Sequence, residues 1–369
     1  MKSHRPSVLL KVPLSIFSGY GRDGIGLAQT FLEFGWEVYL QPTFVSSPLP
    51  TEVAMLLTKP LVGPFDLGLI HLDPAQLRTS PEMREACDRL IGWTMWEFDS
   101  LANMDAKNLS EIDYHFQTFD AILCYDEVTA EAMRPHCPDD LPLLVLQGGY
   151  DPEPWGAVER DWFSDRFGFA MCGVLSERKN PFAAIAAFKE LKTEYPVEFE
   201  GAELHLKDTS GSLHPAIMET IPKLRIHYET WPMDVLKEFY RNQHVLLAPS
   251  HGEGKNLPAL EFLSTGGTVI ASNWGGHAQW LSDEYAYPVP VTLGQMPFHP
   301  DVHWANIDME GLKAAMLSAY RNRDEAKKKG DIAARTIPAM CNWSTVVERL
   351  FTIANNLERR EVTLIRGMP

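Results

Sequence analysis

Cysteine is sparse and unpaired in this sequence. Cys87, Cys124, Cys137, Cys172 and Cys341 are odd in number, widely spread, and include no C-x-x-C pair. That argues against a disulfide framework or a zinc ribbon and points to a reducing cytoplasm. Basic residues are also in deficit: 33 Lys and Arg stand against 49 Asp and Glu, for a net charge of −16. A general nucleic-acid binder needs a basic footprint to displace phosphate counterions, so that class is disfavoured. A local basic pocket for a small anion remains compatible with the balance. Long apolar runs are missing too. Stretches such as residues 181–188 fall far short of a membrane span, and the basic start Met1-Lys2-Ser3-His4-Arg5-Pro6 lacks the apolar segment of a signal peptide. No Ser/His/Asp triad, P-loop or metal-ligand spacing is evident, and no period of 20–50 residues repeats. The expectation is a soluble cytoplasmic protein.

What is present is length and alternation. A chain of 369 residues, 45% of them apolar, exceeds one comfortable hydrophobic core and predicts two domains. Strands are predicted at residues 7–12, 36–40, 67–72, 91–95, 121–124 and 143–146, with a glycine-rich run at 18–26 and a helix over 27–34. Around Gln147-Gly148-Gly149-Tyr150-Asp151-Pro152-Glu153-Pro154 the composition turns to Gly and Pro, as in a linker. Alternation then restarts with strands at 167–174, 202–206, 245–248 and 268–272 and helices at 181–191, 233–241 and 258–265. Such alternation implies parallel sheets with helices on both faces. The predicted fold class is therefore α/β: two doubly wound Rossmann-like domains facing a cleft. The first spans residues 1–150, the second 151–345, and a C-terminal helix over 346–369 packs back towards the first. Ligands of such sheets sit at the carboxyl ends of the strands, in the strand-to-helix loops.

Three loops carry candidate chemistry. In Pro249-Ser250-His251-Gly252-Glu253-Gly254-Lys255-Asn256-Leu257-Pro258-Ala259-Leu260-Glu261, Pro258 suits a helix start, and Gly266 and Gly267 suit its end. Gly254, Lys255, Asn256 and Leu257 then present backbone amides at the positive end of a helix dipole, a site for phosphate. Glu253 and Glu261 flank that site and suit sugar hydroxyls. An isolated Glu at a helix start more often just complements the dipole, but the clustering of His251, Glu253, Lys255 and two glycines in one loop favours a site. In Gly173-Val174-Leu175-Ser176-Glu177-Arg178-Lys179-Asn180-Pro181, Asn180 suits a helix cap. Arg178 and Lys179 thus stand at a helix N-terminus, where cations are unfavourable unless an anion joins them. The third loop, Gly19-x-Gly21-x-x-Gly24, matches a dinucleotide fingerprint. The acidic residue that should close the next strand is absent from Val38-Tyr39-Leu40-Gln41-Pro42, which disfavours a nicotinamide cofactor. Those glycines suit either close approach of a substrate or a plain structural turn. His71 ends a predicted strand and is balanced between a ligand contact and a structural histidine. Trp93 and Trp96 are balanced between sugar stacking and core packing.

These loops resemble those of the retaining nucleotide-sugar glycosyltransferases of GT-B fold, specifically glycosyltransferase family four, the group one transferases. Glu253 and Glu261 match the family's E-x7-E motif, and the flanking Pro-Ser-x-Gly-Glu-Gly, Leu-Pro-Ala-Leu-Glu and Thr-Gly-Gly-Thr-Val-Ile-Ala-Ser segments match beyond it. Lys179 lies six residues after Gly173, as the family's phosphate-binding lysine does, and Gly149-Tyr150-Asp151 is similar to its Gly-Val-Asp at the domain junction. The resemblance implies that Glu261 holds the ribose and Glu253 contacts the donor sugar near the reacting centre. It implies that Lys179 neutralises the leaving diphosphate with help from amides near Asn256 and Leu257. His71 would touch the donor sugar, and Gly19 and Gly21 would lie beside the diphosphate. The chain departs from the family at Val174, where an arginine is usual and where Arg178 or Lys255 is the candidate replacement. It departs again at Lys255-Asn256, where an aromatic residue and glycine are common. The Gly-Glu-Gly-Lys-Asn-Leu-Pro version is similar to that of transferases carried by bacteriophages.

The implied function is metal-independent, retaining transfer of a hexose from a nucleoside-diphosphate sugar of UDP or GDP type to a hydroxyl acceptor. The donor is a substrate, and no further cofactor is expected. The alternatives are a non-catalytic nucleotide-sugar or glycan-binding protein and a nucleotide-sugar epimerase of the same fold. The acceptor stays open among glycan, protein, small molecule and modified DNA base. Residues 1–150 hold 10 basic and 20 acidic side chains against 23 and 29 in the remainder, so the first half is the more acidic.

Overall fold

A computed structural model describes residues 5–360. The chain divides into two compact units. One takes the residues up to Asp151 with Pro297–Val302 and those from Cys341 onward; the other takes Pro152–Met296 and His303–Met340. In the first unit β1 (Ser7–Lys11), α1 (Gly19–Glu33), β2 (Glu37–Leu40), α2 (Thr51–Leu56), β3 (Phe65–His71), α3 (Pro81–Ala86), β4 (Cys87–Thr94), α4 (Ala106–Phe116), β5 (Ala121–Cys124), α5 (Glu127–Met133) and β6 (Leu143–Val145) follow in turn. The strands form a parallel sheet of order β2-β1-β3-β4-β5-β6. Successive residues alternate between two cores. Val8, Leu10, Leu69, Ile91, Trp93 and Leu123 meet α1, while Leu9, Ile70, Leu90, Ile122 and Cys124 meet α4 and α5. A strand covered on both faces has no polar side, which is why AILC is apolar throughout.

The second unit runs β7 (Phe167–Gly173), α6 (Pro181–Glu194), β8 (Ala202–Asp208), α7 (Ile217–Thr220), β9 (Leu224–His227), α8 (Met233–Arg241), β10 (Val245–Ala248), α9 (Leu257–Ser264), β11 (Thr268–Ser272) and β12 (Tyr287–Val289). Then come the two-stranded pair β13 (Val291–Met296) and β14 (His299–Ile307) and the helices α10 (Met309–Arg321) and α11 (Arg323–Cys341); the last helix, α12 (Trp343–Asn356), belongs to the first unit. The six-stranded sheet of the second unit is parallel, of order β12-β11-β10-β7-β8-β9. Counted from β7, this is the dinucleotide-fold order, and its direction reverses between β7 and β10. The predicted fold class, two doubly wound Rossmann-like domains, is the one observed.

One local expectation is corrected. The glycine-rich run is not a loop before a helix at Leu27; α1 already begins at Gly19, with the Ser18 hydroxyl accepting from the Gly21 amide at 3.1 Å. The glycines are there because the helix is pressed from three sides. A Cβ on Gly21 would meet Ser15 at 2.5 Å, one on Gly24 the carbonyl of Pro13, and one on Gly26 the indole of Trp343. Close packing outweighs the poor helix propensity of glycine. Trp343 opens α12, whose Val346, Val347 and Leu350 complete the same core as α1.

Candidate active site

Both candidate loops of the second unit leave strands that border the reversal of strand order, where α/β sheets open a crevice at their carboxyl edge. After β7, a short 3₁₀ turn (Glu177–Lys179) leads to Asn180, which caps α6 by accepting from the Ala183 amide at 3.3 Å. Asn180 also donates to the Pro249 carbonyl at 3.2 Å, and the His251 amide donates to the Arg178 carbonyl at 2.8 Å, so the two loops are tied together. On the other side, the His251 ring stacks on Trp304 with centroids 4.0 Å apart, and its Nδ1–H donates to the Ala305 carbonyl.

Glu253 is the convergence point. It is buried, accepts from the Ser250 hydroxyl at 2.7 Å, and forms ion pairs with Lys179 through Oε1 and with Arg178 through Oε2 at 3.3 Å. Burial by itself would push this carboxyl up. Lys179, Arg178 and His277 outweigh it and hold Glu253 at about 2, so it is a carboxylate at any physiological pH. Arg178 donates as well to the Gly252 carbonyl at 2.6 Å.

The carbonyls of this loop share a pattern. That of Ser250 accepts from the Ser272 hydroxyl, His251 from the Ala305 amide, Gly252 from Arg178, Glu253 from the Gly276 amide, and Lys255 from the Trp280 indole. Because a trans peptide sets N–H opposite C=O, the succeeding amides are turned away from those partners. Asn256, in the left-handed region at φ 66°, then starts α9, with Leu257 as the first helical residue. A helix start with two cations beside it is an anion site in its physical make-up.

His277 was missed in the sequence, although the Gly275-Gly276 pair before it was conspicuous. It is fully buried, its Nδ1–H donates to the Ser272 carbonyl at 3.0 Å, and its Nε2 accepts from Asn256 Nδ2 at 2.9 Å. This bonding fixes the neutral tautomer. It also draws the Asn256 side chain away from capping α9, consistent with the missing side-chain cap there. Burial pushes His277 down to about 4. His244, at the opposite end of β10, is neutral for the same reason: burial holds it at about 4, its Nδ1 accepts from the Gly168 amide, and its Nε2–H donates to the Asp161 carbonyl. Both histidines take up a proton on unfolding below about pH 6.5. The unit's stability is therefore full above that value and is lost as pH falls towards 4, by on the order of 3 kcal/mol for each histidine. The melting temperature should decline steeply across that window, and His244→Gln should flatten the decline. An unchanged slope would show that His244 already carries its proton in the fold.

Glu261 lies one turn into α9, buried, with Tyr240 donating to its Oε2 at 3.2 Å. The structure thus gathers Arg178, Lys179, Glu253, Gly254, Lys255, Asn256 and Leu257 around one helix start, with Glu261 one turn further along the same helix. Lys255 is itself buried, its carbonyl held by Trp280.

Gly19, Gly21 and His71 belong to the first unit, at the carboxyl ends of β1 and β3, where that sheet also reverses its order. Gly21 is filled by Ser15, while the Cβ position of Gly19 is open. His71 is fully buried, with Nδ1–H donating to the Trp93 carbonyl at 3.0 Å and Nε2 facing the Tyr125 hydroxyl at 2.9 Å and Asp23 Oδ2 at 3.3 Å. Tyr125 in turn donates to Asp23 at 2.6 Å. Asp23 and Tyr125 were not anticipated, since neither stands in a motif. Trp93 is core, its indole bonded to the Leu146 carbonyl.

Comparison with known proteins adds the following. The model of the family described as glycosyl transferases group 1 matches residues 159–291. No curated protein sequence matches significantly. Among solved structures, the trehalose-6-phosphate synthase OtsA superposes with a TM-score of 0.70 at 13% identity, covering 96% of this chain and 100% of its own. The sucrose-phosphate synthase of Thermosynechococcus elongatus gives 0.65 at 14% identity, covering 95% and 98%. Anabaena HepE, solved in complex with UDP, gives 0.64 at 12% identity, covering 95% and 100%. The fold is shared with these proteins along nearly the whole chain, and the family match covers the segment that holds Arg178, Lys179, Glu253 and Glu261.

Proposed function

We propose that the chain is a retaining glycosyltransferase that moves a hexose from a nucleoside-diphosphate sugar to a hydroxyl acceptor. The observation that carries this reading is the meeting of Arg178, Lys179, Glu253 and the start of α9 at the reversal point of a dinucleotide-type sheet. Cleavage of the anomeric C–O bond adds one negative charge to a diphosphate that already carries two. Two cations and a helix N-terminus stabilise that charge without a metal ion.

In this mechanism the diphosphate sits on Arg178, Lys179 and the amides near Asn256 and Leu257, and Glu261 accepts from the ribose hydroxyls. Glu253 faces the hexose near its reacting carbon. The acceptor oxygen attacks from the side the diphosphate leaves, its proton passes to a diphosphate oxygen, and the configuration is retained. The UDP in the HepE complex supports a donor of UDP type.

The test is incubation with UDP-, GDP- and ADP-hexoses with and without hydroxyl acceptors, reading free nucleoside diphosphate and product configuration. Release of diphosphate with an α-linked product from an α-linked donor is expected. Tight binding without release would reduce the protein to a binding role, and interconversion of sugars without an acceptor would make it an epimerase.

A further inference from the structure

Lys207 is the penultimate residue of β8 and is only 3% exposed, yet its Nζ has no hydrogen-bond partner. Its ammonium lies over the face of Trp231, with Nζ 5.0 Å from the ring centroid. A buried ammonium satisfied by a ring alone is costly, because three donors have left water for a single weak contact. Such a group is retained where something else supplies the acceptors.

The sheet register shows what lies beside it. Cys172 of β7, Lys207 of β8 and His227 of β9 stand side by side at the carboxyl edge. Cys172 is hydrogen-bonded to Tyr240, which donates to Glu261. One line of contacts therefore runs from the α9 site through Glu261, Tyr240 and Cys172 to Lys207 and Trp231. A nucleotide is itself a line of phosphate, ribose and base. With its diphosphate at the loops after β7 and β10 and its ribose at Glu261, its base falls over β8 and β9.

We propose that Lys207 and Trp231 form the nucleobase subsite, and that the Lys207 ammonium selects bases with a carbonyl edge. The assignment rests on the donor reading above. Trp231 is part-buried and offers an aromatic surface at the end of β9 for packing against any base. Lys207 can only donate, so it matches uracil O4 or guanine O6 and N7, whereas adenine sets an N6 amino donor against it.

Calorimetric titration of UDP, GDP, ADP and inorganic pyrophosphate tests this. Lys207→Met should weaken UDP or GDP by about ten- to a hundredfold, the worth of a hydrogen bond to a charged group. ADP and pyrophosphate should change less than about threefold, and the melting temperature of the free protein should hold or rise, since an unpartnered charge has been removed. Trp231→Ala provides a second reading at a part-buried position: it should weaken all three nucleotides alike and leave pyrophosphate unchanged. Unchanged UDP and GDP affinities in Lys207→Met would overturn the base assignment, as would equal losses for all four ligands, which would place Lys207 on phosphate. A wild-type protein that binds none of the nucleotides overturns the donor reading and this subsite with it.

Discussion

Replacing Glu253 by glutamine is expected to lower sugar transfer by about a hundredfold or more while the affinity for nucleoside diphosphate holds or rises. The two effects separate because Glu253 has two roles. In the free protein its carboxylate is the counter-charge of Lys179 and Arg178. A diphosphate arriving at those cations competes with it, so removing the charge frees them for the ligand. The same substitution leaves the cations without their partner when the site is empty. Fully buried pairs lose 3–5 kcal/mol on such a change, but Lys179 and Arg178 retain some solvent, and a loss of about 2 kcal/mol is expected. The signature is therefore a lower melting temperature in the free protein and a larger rise on adding UDP or GDP than wild type shows. Undiminished turnover would remove Glu253 from the reacting centre. A parallel collapse of diphosphate affinity would mean that it organises the site rather than competing for it.

The second large effect should come from a single added methyl group at Gly276. Its amide donates to the Glu253 carbonyl at 2.7 Å, and a Cβ there would fall on the carbonyl of Gly254. Both clashing partners are backbone, so no rotamer change relieves the contact, and the segment Glu253–Gly254 must move. A displacement of about 1 Å at a reacting centre costs about a hundredfold in rate, and overpacking about 1–3 kcal/mol in stability. Gly276→Ala should therefore lose both transfer and diphosphate affinity, unlike the Glu253 variant. Gly156→Ala, where an added carbon meets nothing within 4 Å, is the control and should behave as wild type. Normal kinetics for Gly276→Ala would show that the loop position is not critical.

Comparison of these two sites shows what a sequence can carry. The strands Ala121–Cys124, Val245–Ala248 and Thr268–Ser272 were legible to the residue, because burial on both faces leaves a short, wholly apolar run between turn residues. The cap at Asn180 and the proline starts were legible because they depend on neighbours a few residues away. The glycine run at the start of α1 was not, since what demands glycine there is Ser15, Pro13 and the distant Trp343. His277 and Tyr240 escaped for the same reason: each acts on a loop or helix reached only through the sheet. Lys207 was hidden in a strand whose other residues gave no hint of a site, and only the missing partner at its Nζ marks it.

The position of α12 has a consequence for how the molecule is made. Trp343, Val346, Val347 and Leu350 belong to the same core as β1 and α1, yet they are synthesised after the whole of the second unit. At ordinary elongation rates the first unit waits about ten to forty seconds on the ribosome for its last helix. During that interval the apolar side of α1 lacks its cover, which is a natural point for chaperone engagement. Ending the gene after residue 340 should yield a first unit left without that helix.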